Sequence, residues 1–162
     1  MKVIVIIPAA GLGTRMASAG GPRSKKSGPS KQFSELGGTP ILFHTLRKFV
    51  ASPRVAEIFV ALRKDEIRGF RARLETEARD ILQKKIELVE GGEHRQHSVA
   101  NALGAIAAAP DDVILVHDAV RPFVTPGIID EVIEGARKHG AAIAGMPAID
   151  TCLLYTSPSP RD

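Results

Sequence analysis

At 162 residues, with 44% hydrophobic and 25% charged residues, the chain suits a single globular domain with a substantial core. Its net charge of +4 fits an anionic ligand, but aromatics reach only 4% and interleave with no basic run, which argues against base stacking on nucleic acid. The single cysteine, Cys152, excludes an intrachain disulfide, and no stretch reads as a cleaved leader or a membrane span, so a cytoplasmic protein is expected, with no nucleic-acid or membrane partner.

The first predicted element is a buried strand, Val3–Ile7, which breaks at Pro8 into the loop Ala9-Ala10-Gly11-Leu12-Gly13-Thr14-Arg15-Met16. From Arg15 to Lys31 there is no hydrophobic run, while Arg23, Lys25, Lys26 and Lys31 add positive charge. Small residues allow backbone N–H groups close to a ligand and cations neutralise its oxygens, so this loop points to polyphosphate chemistry. A helix is expected over Pro40–Val50, with Ile41, Leu42, Thr45, Leu46 and Phe49 on one face. A strand at Ile58–Leu62 leads to a long charged helix, Lys64–Lys84, whose stripe is Ile67, Phe70, Leu74, Ala78, Ile81 and Leu82. Then come a strand at Ile86–Val89, a helix at Ser98–Ala108, a strand at Val113–Val116, a helix at Pro126–His139 and a strand at Ala141–Met146. Alternation of this kind predicts an α/β fold, Rossmann-like and doubly wound on a mostly parallel sheet.

The tail Cys152–Asp162 follows neither pattern. Back-translated from Cys152 as TGT CTC TTA TAC ACA TCT, it reads as one frame of a transposon-type sequencing adapter, and the remaining Pro158-Ser159-Pro160-Arg161-Asp162 fits its continuation. The natural sequence is therefore expected to cover residues 1–151, incomplete at the C-terminus, with 152–162 a non-native adapter-like tail.

Ligands of doubly wound folds gather at the carboxyl ends of the strands. Four segments fall there: the loop from Ala9, with Pro29-Ser30-Lys31-Gln32-Phe33; Gly91-Gly92-Glu93-His94-Arg95-Gln96-His97-Ser98; His117-Asp118-Ala119-Val120-Arg121-Pro122; and Pro147-Ala148-Ile149-Asp150-Thr151. Gly11-Leu12-Gly13 lacks the third glycine of a dinucleotide fingerprint, since Met16 stands there, and it lacks the Gly-Lys-Ser/Thr of a P-loop. His94 and His97 have no third ligand near them in sequence, so hydrogen bonding or a surface role fits them better than zinc. Asp118, just past a buried strand, suits a magnesium ion bridging phosphates, and Arg121 can orient it. Gly91-Gly92 lets backbone approach a flat base, and Ser98 reads as the cap of the next helix.

Taken together, PAAGLGTRM, PSKQF, GGEHRQHSV, HDAVRP and a final Asp-Thr resemble the 2-C-methyl-D-erythritol 4-phosphate cytidylyltransferases of non-mevalonate isoprenoid synthesis, over Lys2–Thr151. The resemblance implies a nucleotide-diphospho-sugar transferase type of fold. It also implies transfer of the cytidylyl group from CTP to methylerythritol phosphate with a divalent cation, Mg2+, and a homodimer for the full-length protein. By the same resemblance Arg15 and Lys31 stabilise the transition state, and Ala9, Ala10, Gly11 and Gly13 cradle the triphosphate. Gly92, Glu93 and Ser98 meet the nucleoside, Asp118 holds the metal and Thr151 contacts the acceptor, with Arg95 and Arg121 as supports. Lys31 is the matching lysine because Pro29 and Gln32-Phe33 flank it. The alternatives are a ribitol-5-phosphate cytidylyltransferase or another sugar-phosphate nucleotidyltransferase, and a non-catalytic nucleotide-binding module. Little or no turnover is expected of the 162-residue chain itself.

Overall fold

The computed structural model describes residues 1–11 and 30–146. Strand β1, Val3–Pro8, carries five apolar side chains that are all buried, because it lies inside the sheet with a layer on each side. A turn of 3-10 helix at Lys31–Phe33 precedes a small antiparallel ribbon of β2, Glu35–Leu36, and β3, Thr39–Pro40. Gly37 and Gly38 make its turn at φ 61° and 76°, a conformation that side chains with a Cβ resist. Helix α1, Ile41–Val50, follows and buries Leu42, Phe43, Thr45, Leu46 and Phe49. Phe43 joins the inner face in place of Ile41, which is only partly covered.

Strand β4, Val55–Leu62, starts earlier than its apolar run: Val55 is buried, and Glu57 pairs with Lys85 of the next strand and with Lys2 just before β1. The expected helix Lys64–Lys84 divides. Helix α2 spans Lys64–Glu77, the chain turns at Ala78 (φ −146°, ψ 45°), and a 3-10 segment covers Arg79–Gln83. Length explains the break: a helix over that whole stretch would run about 32 Å, against roughly 26 Å for the eight residues of β4 that it must retrace. The turn instead buries Ala78 and Ile81 and brings Asp80 to Arg47 of α1, Oδ2 to Nε at 2.7 Å.

Strand β5, Lys85–Glu90, helix α3, Arg95–Ala105, strand β6, Val113–Val116, and helix α4, Pro126–His139, complete the described chain. Thr125 caps α4 by accepting the Ile128 N–H at 3.3 Å, and Gly140 ends it in the left-handed region. All four long strands are parallel, in the order β5-β4-β1-β6. Val3, Val5 and Ile7 of β1 face the main core with α1, α2 and α4, while Ile4 and Ile6 face α3 with Phe59 and Ala102. The sheet is therefore wound on both faces, as expected, and its order reverses between β1 and β6.

One expected element does not form. Ala141–Met146 pairs with no strand among the described residues, and Ile143 and Met146 are 93% and 85% exposed. Four of those six residues are alanine or glycine, which give a strand little side chain to pack against its neighbours. Among the described residues, no helix is long and apolar enough to cross a membrane.

Candidate active site

The loops after β1 and β5 meet in contact. Ala9 prolongs β1 by donating its N–H to the Ala61 carbonyl at 2.7 Å, and Gly91 does the same for β5 with the Leu62 carbonyl at 2.7 Å. Ala9 and Ala10 are buried, and a Cβ placed on Gly91 would stand 2.5 Å from the Ala10 Cβ and 2.9 Å from the Ser98 hydroxyl. Only glycine lets these loops close on one another. Gly92 is equally confined, since its Cβ would fall 2.3 Å from that of His97. A Cβ on Gly11, by contrast, would meet nothing within 4 Å among the described residues.

Ser98 does not open its helix. Helix α3 begins at Arg95 with His94 as its N-terminal flank, and Ser98 sits one turn inside, 2% exposed. There its hydroxyl accepts the Gly92 N–H at 3.1 Å and reaches the His94 carbonyl at 3.3 Å. The serine thus folds the loop Gly91–His94 onto the helix, which the sequence pattern alone disguised as a cap. Glu93 is exposed on that loop. The His94 and His97 rings lie 5.3 Å apart, and among the described residues no group of three or more His, Cys, Asp or Glu side chains could hold a metal alone.

Asp118 stands past the end of β6, next to the point where strand order reverses. The His117 N–H donates to the Ile6 carbonyl at 3.0 Å, and Thr45 of α1 donates its hydroxyl to the Ala119 carbonyl at 2.8 Å, so both sides of the turn are pinned. Arg95 gives two N–H groups to Asp118 Oδ1, at 3.1 and 2.9 Å, and Arg121 Nε lies 2.9 Å from Oδ2. Burial pushes the Asp118 carboxyl up, but the Arg95 hydrogen bond and the charges of Arg95, Arg121 and His117 outweigh it and hold the group below its ordinary value. Asp118 is consequently a carboxylate at neutral pH, held between two guanidiniums. Arg121 was legible as its neighbour along the chain; Arg95 comes from another loop, and only the fold joins them.

The model of the family described as IspD, 2-C-methyl-D-erythritol 4-phosphate cytidylyltransferase, matches residues 3–157. The chain belongs to that family. Its match runs past Thr151 into the segment expected to be a non-native tail. The chain is 47% identical over 151 residues to the 2-C-methyl-D-erythritol 4-phosphate cytidylyltransferase of Acidobacterium capsulatum, covering 93% of this chain and 60% of that protein. It is 48% identical over 158 residues to the enzyme of the same name from Solibacter usitatus, covering 96% and 62%. The crystal structure of Francisella tularensis 2-C-methyl-D-erythritol 4-phosphate cytidylyltransferase superposes with a TM-score of 0.60 at 34% identity, over 85% of this chain and 52% of that one. The chain thus spans about three fifths of the length of these curated relatives. A CMP-2-keto-3-deoxy-manno-octonic acid synthetase, solved with CTP, shares the fold at a TM-score of 0.58 and 19% identity.

Of the residues singled out for this cytidylyltransferase fold, Ala9, Ala10, Gly92 and Ser98 converge at one junction. Asp118 joins α3 through Arg95, which stands three residues before Ser98 on the same helix. Lys31 opens the 3-10 turn, and the buried Gln32 beside it donates Nε2 to the Ala9 carbonyl at 2.5 Å, tying the returning chain to the exit of β1. Gly13, Arg15 and Thr151 lie outside the described residues. Gln32 and Thr45 are the structural contributors that residue chemistry passed over. Thr45 did stand out as the polar member of an apolar face.

Proposed function

We propose that the full-length protein transfers the cytidylyl group of CTP to 2-C-methyl-D-erythritol 4-phosphate, and that the described residues supply much of its nucleotide side. A phosphate oxygen of the acceptor attacks the α-phosphorus of CTP, the bond to the bridging oxygen of the β-phosphate breaks, and pyrophosphate leaves with that electron pair. Such a reaction asks the protein for positioning and charge neutralisation rather than covalent work. The observation that carries this reading is the closure of the Ala10 loop on Gly91 and Ser98, within a chain that matches this family from end to end of its described sheet.

In this reading Ala9, Ala10, Gly11 and Gly13 line the triphosphate, and Arg15 and Lys31 neutralise it as charge moves toward pyrophosphate. Gly92, Glu93 and Ser98 receive the cytosine and its ribose, and Thr151 meets the acceptor phosphate. Magnesium commonly keeps water and takes one or two carboxylates with substrate phosphates, so a single fixed carboxylate suits it without a cage of protein ligands. Asp118 is that carboxylate here, and Arg95 and Arg121 keep it charged and aimed. When bound, the cation would draw charge off the phosphates. The full-length protein is read as a cytoplasmic homodimer.

The test is base selectivity followed by turnover. CTP with Mg2+ is expected to raise the melting temperature of the 162-residue chain, while UTP, GTP and ATP leave it unchanged. In the full-length protein, CTP and methylerythritol phosphate should release pyrophosphate, and ribitol 5-phosphate should not. Equal shifts with all four nucleotides would reject the cytidylyl assignment. CTP binding without pyrophosphate release would leave a binding module.

A further inference from the structure

The neighbours of Lys31 along the chain are held from both sides, one by the exit of β4 and the other by the exit of β1. On one side, the Ser30 hydroxyl donates to Glu66 Oε1 at 2.5 Å, and Glu66 in turn pairs with Arg63 Nη2 at 2.9 Å, with only 11% of its side chain exposed. Arg63 and Glu66 belong to the junction of β4 with α2, so this contact ties position 30 to the next strand exit along the sheet. On the other side, Gln32, 4% exposed, reaches the Ala9 carbonyl at the exit of β1. Between them the chain closes a 3-10 turn, in which Phe33 donates its N–H to the Ser30 carbonyl at 2.8 Å and Ser34 to that of Lys31 at 3.1 Å. Phe33 then packs on Phe70 of α2, ring centres 5.9 Å apart.

We propose that Ser30 and Gln32 are positioning residues for Lys31, which clamp its backbone between the Arg63–Glu66 pair and the Ala9 carbonyl so that its ammonium is delivered to the triphosphate. The inference rests on the reading of Lys31 as a triphosphate contact. A lysine side chain has four rotatable carbons, and misplacing its base by an ångström forfeits much of its effect on a bound phosphate. Fixing the backbone beforehand removes part of the ordering cost from the binding step. The Arg63–Glu66 pair also leaves Arg63 Nε and Glu66 Oε2 buried and unpaired among the described residues. Glu66 Oε1 thus serves both Arg63 and Ser30.

Calorimetric titration of the chain with CTP and Mg2+, and separately with cytidine as a phosphate-free probe, tests the clamp. Lys31→Ala is expected to weaken CTP roughly tenfold and leave cytidine unchanged. Ser30→Ala and Gln32→Met should each weaken CTP about threefold or more without touching cytidine, whereas Ser30→Thr, which keeps the hydroxyl, should restore wild-type affinity. Ser30→Ala added to Lys31→Ala should cost nothing further, since the clamp then holds no ammonium. If Lys31→Ala weakens CTP but Ser30→Ala and Gln32→Met do not, the clamp is wrong and the Lys31 reading stands. If Lys31→Ala leaves CTP affinity intact, the Lys31 reading fails first. Equal loss of CTP and cytidine in Ser30→Ala would make the contact merely structural and overturn the proposal.

Discussion

Gly91 and Gly11 are both glycines of strand-exit loops, yet they answer to different demands. Alanine at 91 would bring its Cβ to 2.5 Å from the Ala10 Cβ, an atom fixed to the backbone, so one loop must move away from the other. Gly91→Ala should therefore cost about 1–3 kcal/mol, as overpacking does, and lower the melting temperature in a calorimetric scan. Alanine at 11 meets nothing within 4 Å among the described residues, and Gly11 does not occupy a positive φ, so Gly11→Ala should leave stability within about 1 kcal/mol of wild type. If the loop lines the triphosphate, the same methyl group should weaken CTP in the calorimeter without weakening cytidine. A melting point unchanged by Gly91→Ala would show that the loops are not in contact. Sequence alone read Gly11 as part of a phosphate cradle and Gly91 as a turn open to a flat base; the packing demand on Gly91 stayed hidden, because what its Cβ would strike lies on other segments of the chain.

At the scale of the elements, β1 and α4 were legible because each signal was local. β1 is an unbroken apolar run, and α4 has a capping threonine, proline in its first turn and a terminal glycine. Elements whose limits depend on neighbours were not. The break at Ala78 answers to the length of β4, and the early start of α3 answers to the turn that Gly91 and Gly92 allow. The start of β4 joins packing to charge: Val55 is buried opposite Val3, and Glu57 after it is charged. Glu57 stands opposite Lys85 in the register and lies between Lys85 Nζ, 2.9 Å away, and Lys2 Nζ, 3.4 Å away. The Lys85 hydrogen bond and the two lysine charges outweigh burial and hold its carboxyl below the ordinary glutamate value. Asp80 is lowered too, chiefly by its Arg47 hydrogen bond. A carboxylate with a depressed folded value adds stability that is fully present above the unfolded value, about 4, and is lost as pH falls through the folded one. Melting temperature should thus hold from neutrality to about pH 5 and then decline on this account, and Glu57→Gln should make that acid limb shallower. An acid limb of unchanged slope in Glu57→Gln would remove Glu57 as a contributor.

At the scale of the molecule, the sheet formed by the described residues has two unlike margins. β5 carries three exposed charges, Lys85, Glu87 and Glu90, of the kind by which natural sheets discourage edge-to-edge pairing. β6 reads Val-Ile-Leu-Val, with Val116 43% exposed at its end. Beside it Val120 and Ile128 are each about two fifths exposed, and Phe123 is 80% exposed. Ile143 and Met146 line the same groove, whose wall also holds Asp118 and Arg121. Apolar surface left in water costs free energy in proportion to its area, and among the described residues the outer edge of β6 pairs with no strand. The 162-residue chain should accordingly self-associate as its concentration rises, with sedimentation coefficients that climb in analytical ultracentrifugation. Val116→Lys with Phe123→Glu places charge on this margin at two exposed positions, so the fold should persist by circular dichroism while the concentration dependence disappears. A double variant that still associates like wild type would move the contact to another face. Wild-type chains that stay monomeric at every concentration would mean that β6 is sheltered in solution, and the charged margin at β5 would then have no counterpart to explain.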